Sequence, residues 1–389
     1  MYKTRLSTFE KRAGSYRMKH QSGMNEVDTT IEALVSAVDL FSGAGGLTNG
    51  LERSGIDVRL GIDIDPACAY PYTANNKANF VLKSVEDVTA EEINDAFTNS
   101  RLRLLAGCAP CQTFSTYNQR ARETDSRWWL LLQFARIVKE VSPELVTMEN
   151  VPNLERQNVF QEFVQTLKDE GYKVSYQIVN CAEYGIPQQR KRLVLLASKL
   201  GAIKLLDPSL CGSGLKSVRD AIGDLPPLEA GGKCDMDPLH RCSSLSPINL
   251  RRIRASRPGG SWRDWDKELI AECHKKKTGK SYPGVYGRME WDQPAPTITT
   301  QFFGFGNGRF GHPEQDRALS LREGAILQSF PRDYKFVAPD QDISIATIGR
   351  LIGNAVPVKL GEVIGRSILA HVNELECRAA VLSGGMQYA

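Results

Sequence analysis

The 389-residue sequence has no run of eighteen uninterrupted apolar residues, so no segment reads as a helix able to cross a bilayer. Its first twenty residues, MYKTRLSTFEKRAGSYRMKH, lack the apolar stretch of a secretory signal, and a cytoplasmic, nucleoid-associated protein is expected. A disulfide framework is also missing, because the nine cysteines are odd in number and follow no repeating spacing. There is no internal repeat and no low-complexity tract. Net charge is slight, +4, and names no partner by itself. Its distribution is uneven: residues 241–288 carry 12 Lys and Arg against 4 Asp and Glu. Trp262, Trp265, Tyr282 and Tyr286 are interleaved there, which suits a surface facing nucleic acid, although a solvated charged face is the plainer alternative.

What the chain does contain is a rhythm of strands and helices. SAVDLF (36–41), VRLGID (58–63), LRLLAG (102–107), ELVTME (144–149), VSYQIVN (174–180) and RLVLLAS (192–198) read as strands, with helical stretches such as WWLLLQFARIVKEV between several of them. The pattern predicts an α/β fold with an open, largely parallel sheet whose ligands bind beyond the carboxyl ends of its strands. After about residue 200 the rhythm gives way to Pro and Gly pairs, and apolar residues at helical spacing return from Ser344 to Glu376. The expected organisation is a flexible extension over 1–34, a catalytic and cofactor-binding domain over 35–200 plus 342–380, and a smaller irregular domain over 201–341.

A strand, a glycine turn, a helix and an acid after the next strand form the logic of nucleotide-like cofactor binding. Here the turn is DLFSGAGG and the acid is Asp63. The dinucleotide fingerprint fails, because Thr48 stands where a third glycine is due, so a cofactor with ribose and adenine but no pyrophosphate fits better, S-adenosylmethionine among them. A nucleotide or a merely tight turn remains open at this point.

GCAPCQTFS, Gly107 to Ser115, presents Cys111 at the mouth of a strand, and Glu149 ends an apolar strand before Asn150 and Pro152. A thiolate and a carboxyl facing one pocket suit addition to an unsaturated ring, with the acid protonating a ring nitrogen as sulfur adds. A redox pair or half a zinc site is the alternative for Cys108 and Cys111. In QQRKR, Arg190 and Arg192 are two apart entering a strand, hence on one face, where they could steady a substrate or the carboxylate.

Together these residues resemble the DNA (cytosine-5)-methyltransferase family in its bacterial form, and the resemblance runs from Val38 to about His371. In order it is carried by DLFSGAGG, GIDIDP, Asp87 with Val88, GCAPCQTFS, ENVP, QQRKR, LSLREGAILQSFP and GNAVP. It implies a Rossmann-like S-adenosylmethionine-dependent methyltransferase sheet with a target-recognition domain. Phe41, Gly43, Gly45, Gly46 and Leu47 would line the donor, Asp63 with Ile64 its ribose side, and Asp87 with Val88 its adenine. Pro110, Leu130 and Asn354 would complete that pocket.

Cys111 would attack C6 of a flipped-out cytosine, and Glu149 would protonate N3 with Arg190 assisting. Arg192, Gln112 and Ser115 would touch the flipped nucleotide or its phosphates, and the segment from Ser115 to Arg127 would close over the DNA. Thr297 sits in the recognition segment YGRMEWDQPAPTITT, while Arg257, Arg263, Arg288 and Arg309 are candidates for guanine or phosphate contacts.

The implied partner is double-stranded DNA, with a cognate restriction endonuclease acting on the same sequence without stable binding. A monomer and no membrane partner are expected. The family usually follows the second-strand acid with an aromatic residue, where this chain has Ile64. Cys211, Cys234, Cys242 and Cys273 with His240 and His274 fit no familiar zinc spacing, so no metal is expected. An RNA (tRNA) cytosine-5 methyltransferase and a non-catalytic DNA-binding protein are the competing readings.

Overall fold

The computed structural model describes residues 33–110, 128–212, 214–276, 279 and 281–384. Cys111, Gln112, Ser115 and Arg127, the closing loop, and nearly all of the expected N-terminal extension lie outside the described residues.

In chain order the strands are β1 (Ser36–Leu40), β2 (Asp57–Asp63), β3 (Asn79–Leu82), β4 (Arg103–Gly107), β5 (Leu145–Asn150), β6 (Lys173–Asn180), β7 (Gln188–Gln189), β8 (Lys191–Ser198) and β9 (Ala295–Pro296). The α-helices are α1 (Gly46–Ser54), α2 (Ala69–Thr73), α3 (Ala90–Ala96), α4 (Trp128–Val141), α5 (Asn158–Asp169), α6 (Val218–Ile222), α7 (Pro247–Ala255), α8 (Glu272–Lys275), α9 (Leu321–Leu327), α10 (Ile345–Asn354) and α11 (Val358–Gly384).

Seven strands form one sheet in the order β3-β2-β1-β4-β5-β8-β6. The first five are parallel, while β8 runs antiparallel to both β5 and β6. Strand order reverses between β1 and β4, where Leu40 lies opposite Gly107, and a crevice at such a reversal is where open α/β sheets bind ligands.

The alternation of side chains along buried strands explains why both faces are covered. On one face Val38, Leu40, Met148 and Leu195 pack with Phe134 of α4 and Phe163 of α5, whose rings lie 5.3 Å apart. On the other, Ala37, Ala106, Val194 and Leu196 pack with Leu51 of α1 and Leu360 and Ile364 of α11. Each buried Val, Leu, Ile, Met or Phe side chain among these contributes about 1.5–3 kcal/mol relative to exposure. The sheet thus holds its own strand ends in place, and Asp63 of β2 and Glu149 of β5 stand at those ends.

Strand β3 was absent from the sequence reading. Its four residues, NFVL, are mostly exposed at the sheet margin, so they carry no buried alternation to detect.

Between Ser198 and Ile345 the chain is irregular, with short helices and isolated bridges. A third apolar cluster joins Met289, Ile298, Phe302, Leu327 and Tyr334 to Ile348 and Leu351 of α10 and to Ala44 beside the glycine turn. Fully buried Arg317 donates from both terminal nitrogens to Glu323 at 2.7 Å, and Glu323 also accepts from Ser320 N at the start of α9. Trp262 and Trp265 pack together with Leu269 and are nearly fully buried, so these two of the four aromatics expected on a nucleic-acid surface form a small core instead, while Tyr282 is exposed. Trp262 lies flat on His274 at 4.4 Å.

Candidate active site

The glycine turn begins where β1 ends. Phe41 adopts φ 58°, a left-handed conformation uncommon for a bulky residue and a sign of a backbone held in place by its surroundings. Gly43, also left-handed, has open space where a side chain would stand, and its N–H donates to Asp63 Oδ2 at 2.8 Å. Asp63 Oδ1 accepts from Asp65 N at 2.9 Å. Both carboxylate oxygens are therefore oriented by main chain, and each retains a lone pair for a further donor. Burial raises the Asp63 pKa, with the N–H donors of Asp65 and Gly43 opposing it.

Beside it Ile64 is 70% exposed, an apolar side chain left for a ligand to cover. Val88 is buried and Asp87 exposed at the end of the next turn. A Cβ on Gly46 would come within 2.3 Å of Val356 O, so the GNAVP turn lies directly against the start of α1. Asn354, exposed at the end of α10, is brought to this turn by that packing.

Beneath the turn, Thr48 Oγ1 donates to Asp39 Oδ2 at 2.7 Å and lies 3.0 Å from the Tyr72 hydroxyl. Burial drives the Asp39 pKa up to about 7, with the Thr48 hydrogen bond opposing it and the Asp63 charge adding to it. Asp39 Oδ1 and Ser42 Oγ have no hydrogen-bond partner. An open glycine cradle, an oriented carboxylate, an exposed apolar residue and orphaned polar atoms fit a ligand of ribose, adenine and a charged tail.

Glu149, 2% exposed, stands opposite Val194 of β8, so Arg192, two residues along, is its diagonal neighbour on the same face. Arg192 Nε lies 2.8 Å from Glu149 Oε1. The approach is off the line of a hydrogen bond, and Oε1 keeps no directed donor. Cys108 Sγ donates to Oε2 at 3.0 Å. Asn150 Nδ2 donates to Ala109 O at 2.9 Å, tying the end of β5 to the backbone that leads to Pro110 and Cys111.

Two expectations are corrected. Arg190 does not assist Glu149: its Nη1 donates to Ile298 O and its Nη2 to Gly353 O and Ala355 O. The guanidinium beside the carboxylate belongs to Arg192. Arg288 is buried, with its nitrogens spent on the carbonyls of Ile253, Ser256, His312 and Gln315 and on Asp316, so it holds the fold and does not face DNA. Arg309, half-buried, donates to Gly260 O and Arg288 O.

Arg257 and Arg263 are exposed; Arg257 pairs with Asp264 and Arg263 lies over Trp262. Thr297 Oγ1 donates to Gln189 O at 2.8 Å. Leu130 is half-buried in α4. Asp39 and Gln188 are not among the site residues expected from the sequence, and Cys108 is expected only as the alternative redox or zinc partner of Cys111, whereas it donates to Glu149. Nothing in the sequence gives an acid on β1 a partner. Among the described residues no group of His, Cys, Asp and Glu is arranged to hold a metal ion. No described helix is long and apolar enough to cross a membrane.

The sheet and the turn at its switch point are those of an α/β methyltransferase. Similar folds occur in a methyltransferase of Entamoeba histolytica (TM-score 0.59, 16% identity, 87% of this chain and 98% of that one) and in a DNMT2 variant of Spodoptera frugiperda (TM-score 0.60, 18% identity, 86% and 99%). The chain belongs to the C-5 cytosine-specific DNA methylase family, whose model matches residues 35–370, and it is a DNA (cytosine-5)-methyltransferase. It is 52% identical over 349 residues to the Type II methylase M.HgiDII of Herpetosiphon aurantiacus, covering 89% of this chain and 98% of the relative. It is 31% identical over 382 residues to the Type II methyltransferase M.PspPI of a Psychrobacter strain, covering 95% and 87%.

Proposed function

We propose that the protein methylates C5 of a flipped-out cytosine within a short double-stranded DNA sequence, as the modification partner of a Type II restriction system. The observation that carries this reading is Glu149: a buried carboxyl at a strand end, steadied by Arg192 and Cys108, with Oε1 still lacking a directed donor. Such a carboxyl is suited to share a proton with N3 of a cytosine ring.

C5 of cytosine is too weakly nucleophilic to react unaided, and addition of a thiolate at C6 divides the difficult step into easier ones. Cys111 is assigned as that thiolate, and Pro110 fixes the backbone presenting it. Glu149 holds and protonates N3 as the Cys111 sulfur adds. Arg192 keeps the carboxyl in place and reaches the same ring edge. Because C6 is stacked within a duplex, the base must leave the helix, at a cost of a few kcal/mol that Gln112, Ser115 and neighbouring side chains offset.

S-Adenosylmethionine, when bound, would supply the methyl group to C5, and loss of the C5 proton then expels the Cys111 sulfur and restores the ring. Asp63 with Ile64 would hold its ribose side, Asp87 with Val88 its adenine, and Phe41 and Gly43 to Leu47 with Asn354 the remainder. Residues 201–341 are assigned to target recognition and 35–200 plus 342–380 to catalysis.

The test is incubation with S-adenosylmethionine and genomic DNA, with 5-methylcytosine mapped at base resolution, beside Cys111→Ala and a parallel tRNA arm. Methylation of one short DNA motif, lost in the variant, supports the reading. Methyl groups on tRNA alone, or on neither, would overturn it.

A further inference from the structure

Arg190 occupies a position that catalysis as described does not use. Its side chain is 2% exposed, yet three carbonyls from two distant segments converge on it. Nη1 donates to Ile298 O at 2.8 Å, and Nη2 donates to Gly353 O at 3.0 Å and Ala355 O at 3.4 Å. Burial and the neighbouring Arg192 charge both oppose its cationic form. A buried guanidinium is costly unless its donors are met, so removing it strands three acceptors and shortening it leaves some unreached.

The segments it joins are the ones that must act together. Ile298, fully buried, follows Thr297 in the recognition segment, and its peptide is held at both ends: Ile298 N donates to Gln188 Oε1 at 2.7 Å, and Ile298 O accepts from Arg190. Gln189 O accepts from Thr297 Oγ1, and β7 pairs with β9 immediately before it. Gly353 and Ala355 flank Asn354, in the turn that lies against Gly46 of the glycine loop. A Cβ on Gly353 would come within 2.4 Å of the Thr299 carbonyl, so recognition segment and donor-side turn touch directly as well. From Arg190 the chain continues through Lys191 to Arg192, which holds Glu149.

We infer that Arg190 is a positioning residue that sets the recognition segment, the donor-side turn and the catalytic carboxylate at fixed separations, so that base readout and donor binding depend on the same side chain. Gln188 supports it: its Nε2 donates to Leu327 O and to Gln328 Oε1, and Gln328 Nε2 donates to Ile352 O. The expected consequence is specificity. A recognition segment held less firmly accepts sequences one base away from the target, because a mismatch no longer displaces the cytosine from Glu149 and Cys111.

This inference rests on the proposed methylation of DNA, and two readouts separate it from that reading and from simple loss of stability. Wild type, Arg190→Lys and Thr297→Val are compared. The first readout is the ratio of methylation at sites one base from the mapped motif to methylation at the motif. The second is the dissociation constant of S-adenosylhomocysteine without DNA, measured by calorimetry. Arg190→Lys is expected to raise the ratio about tenfold and weaken S-adenosylhomocysteine by a similar factor, the effect of losing one hydrogen bond to a charged donor. Thr297→Val, at a half-exposed residue, loosens only the recognition side and should raise the ratio while leaving the dissociation constant within about twofold.

A general fold defect would lower both kinds of site together and leave the ratio unchanged. An Arg190→Lys protein altered in one readout but not the other, or in neither, overturns the inference. If Arg190→Lys does not fold, an unchanged ratio in Thr297→Val overturns it and a raised ratio supports it. Absence of methylation by the wild type would count against the proposed function itself.

Discussion

Replacing Arg192 by methionine isolates what its charge does for Glu149. The two side chains are 12% and 3% exposed, so water supplies little compensation once the guanidinium is gone. An unpaired carboxylate at such depth costs about 3–5 kcal/mol, and the Cys108 thiol, a weak donor, recovers only a fraction of this. Arg192→Met should therefore lower unfolding stability by about 3 kcal/mol, seen as a reduced urea midpoint at constant slope. Adding Glu149→Gln removes the stranded charge, so the double variant should recover about 2 kcal/mol relative to Arg192→Met alone. Single-turnover methyl transfer should fall at least about a hundredfold in both variants, in Arg192→Met because the acid is no longer held in place and in the double variant because the recovered fold lacks the acid. Equal stabilities for Arg192→Met and wild type, or additive losses in the double variant, would refute the claim that the pair is electrostatically coupled.

Glu323 makes two hydrogen bonds to fully buried Arg317 and caps α9, so Glu323→Ala should cost about 3–5 kcal/mol by urea unfolding. Asp39 has a folded pKa of about 7, above the ordinary carboxylate value, so the folded state binds the extra proton and stability falls as pH rises from about 4 to about 7. Asp39→Asn should flatten that slope in a pH series of thermal melts; an unchanged slope would contradict the assignment. Arg288→Met should lower the melting temperature, whereas Arg257→Met, at an exposed residue, should leave it alone and weaken DNA binding with a shallower salt dependence.

The sheet was readable because its strands are buried. SAVDL and RLVLLAS carry apolar residues to both faces, and six of the seven main strands fall within a residue or two of their expected bounds. Glu149 was readable for the same reason, as an acid closing an apolar strand. Which arginine serves it was not. By spacing alone Arg190 and Arg192 fall on one face of a strand, but Arg190 lies between β7 and β8 and is bonded to Ile298 and Gly353, distant in sequence.

The recognition region shows a second limit. Its basic charge and aromatics suggested a binding surface, but Trp262 and Trp265 turn inward and Arg288 is consumed by main-chain carbonyls, since an irregular segment with little regular hydrogen bonding must satisfy its carbonyls with side chains. Charge counted along a sequence does not separate those arginines from ones that face a partner.

The most direct test of the account is a duplex carrying 5-fluorocytosine at the mapped target, incubated with protein and S-adenosylmethionine and analysed by mass spectrometry of the digested protein. Fluorine at C5 cannot leave as the proton does, so the enzyme should remain joined to DNA through one peptide, that containing Cys111, with the methyl group present on the base. A methylated product without an adduct, or an adduct on Cys108 in place of Cys111, would contradict the assignment of Cys111 as the nucleophile.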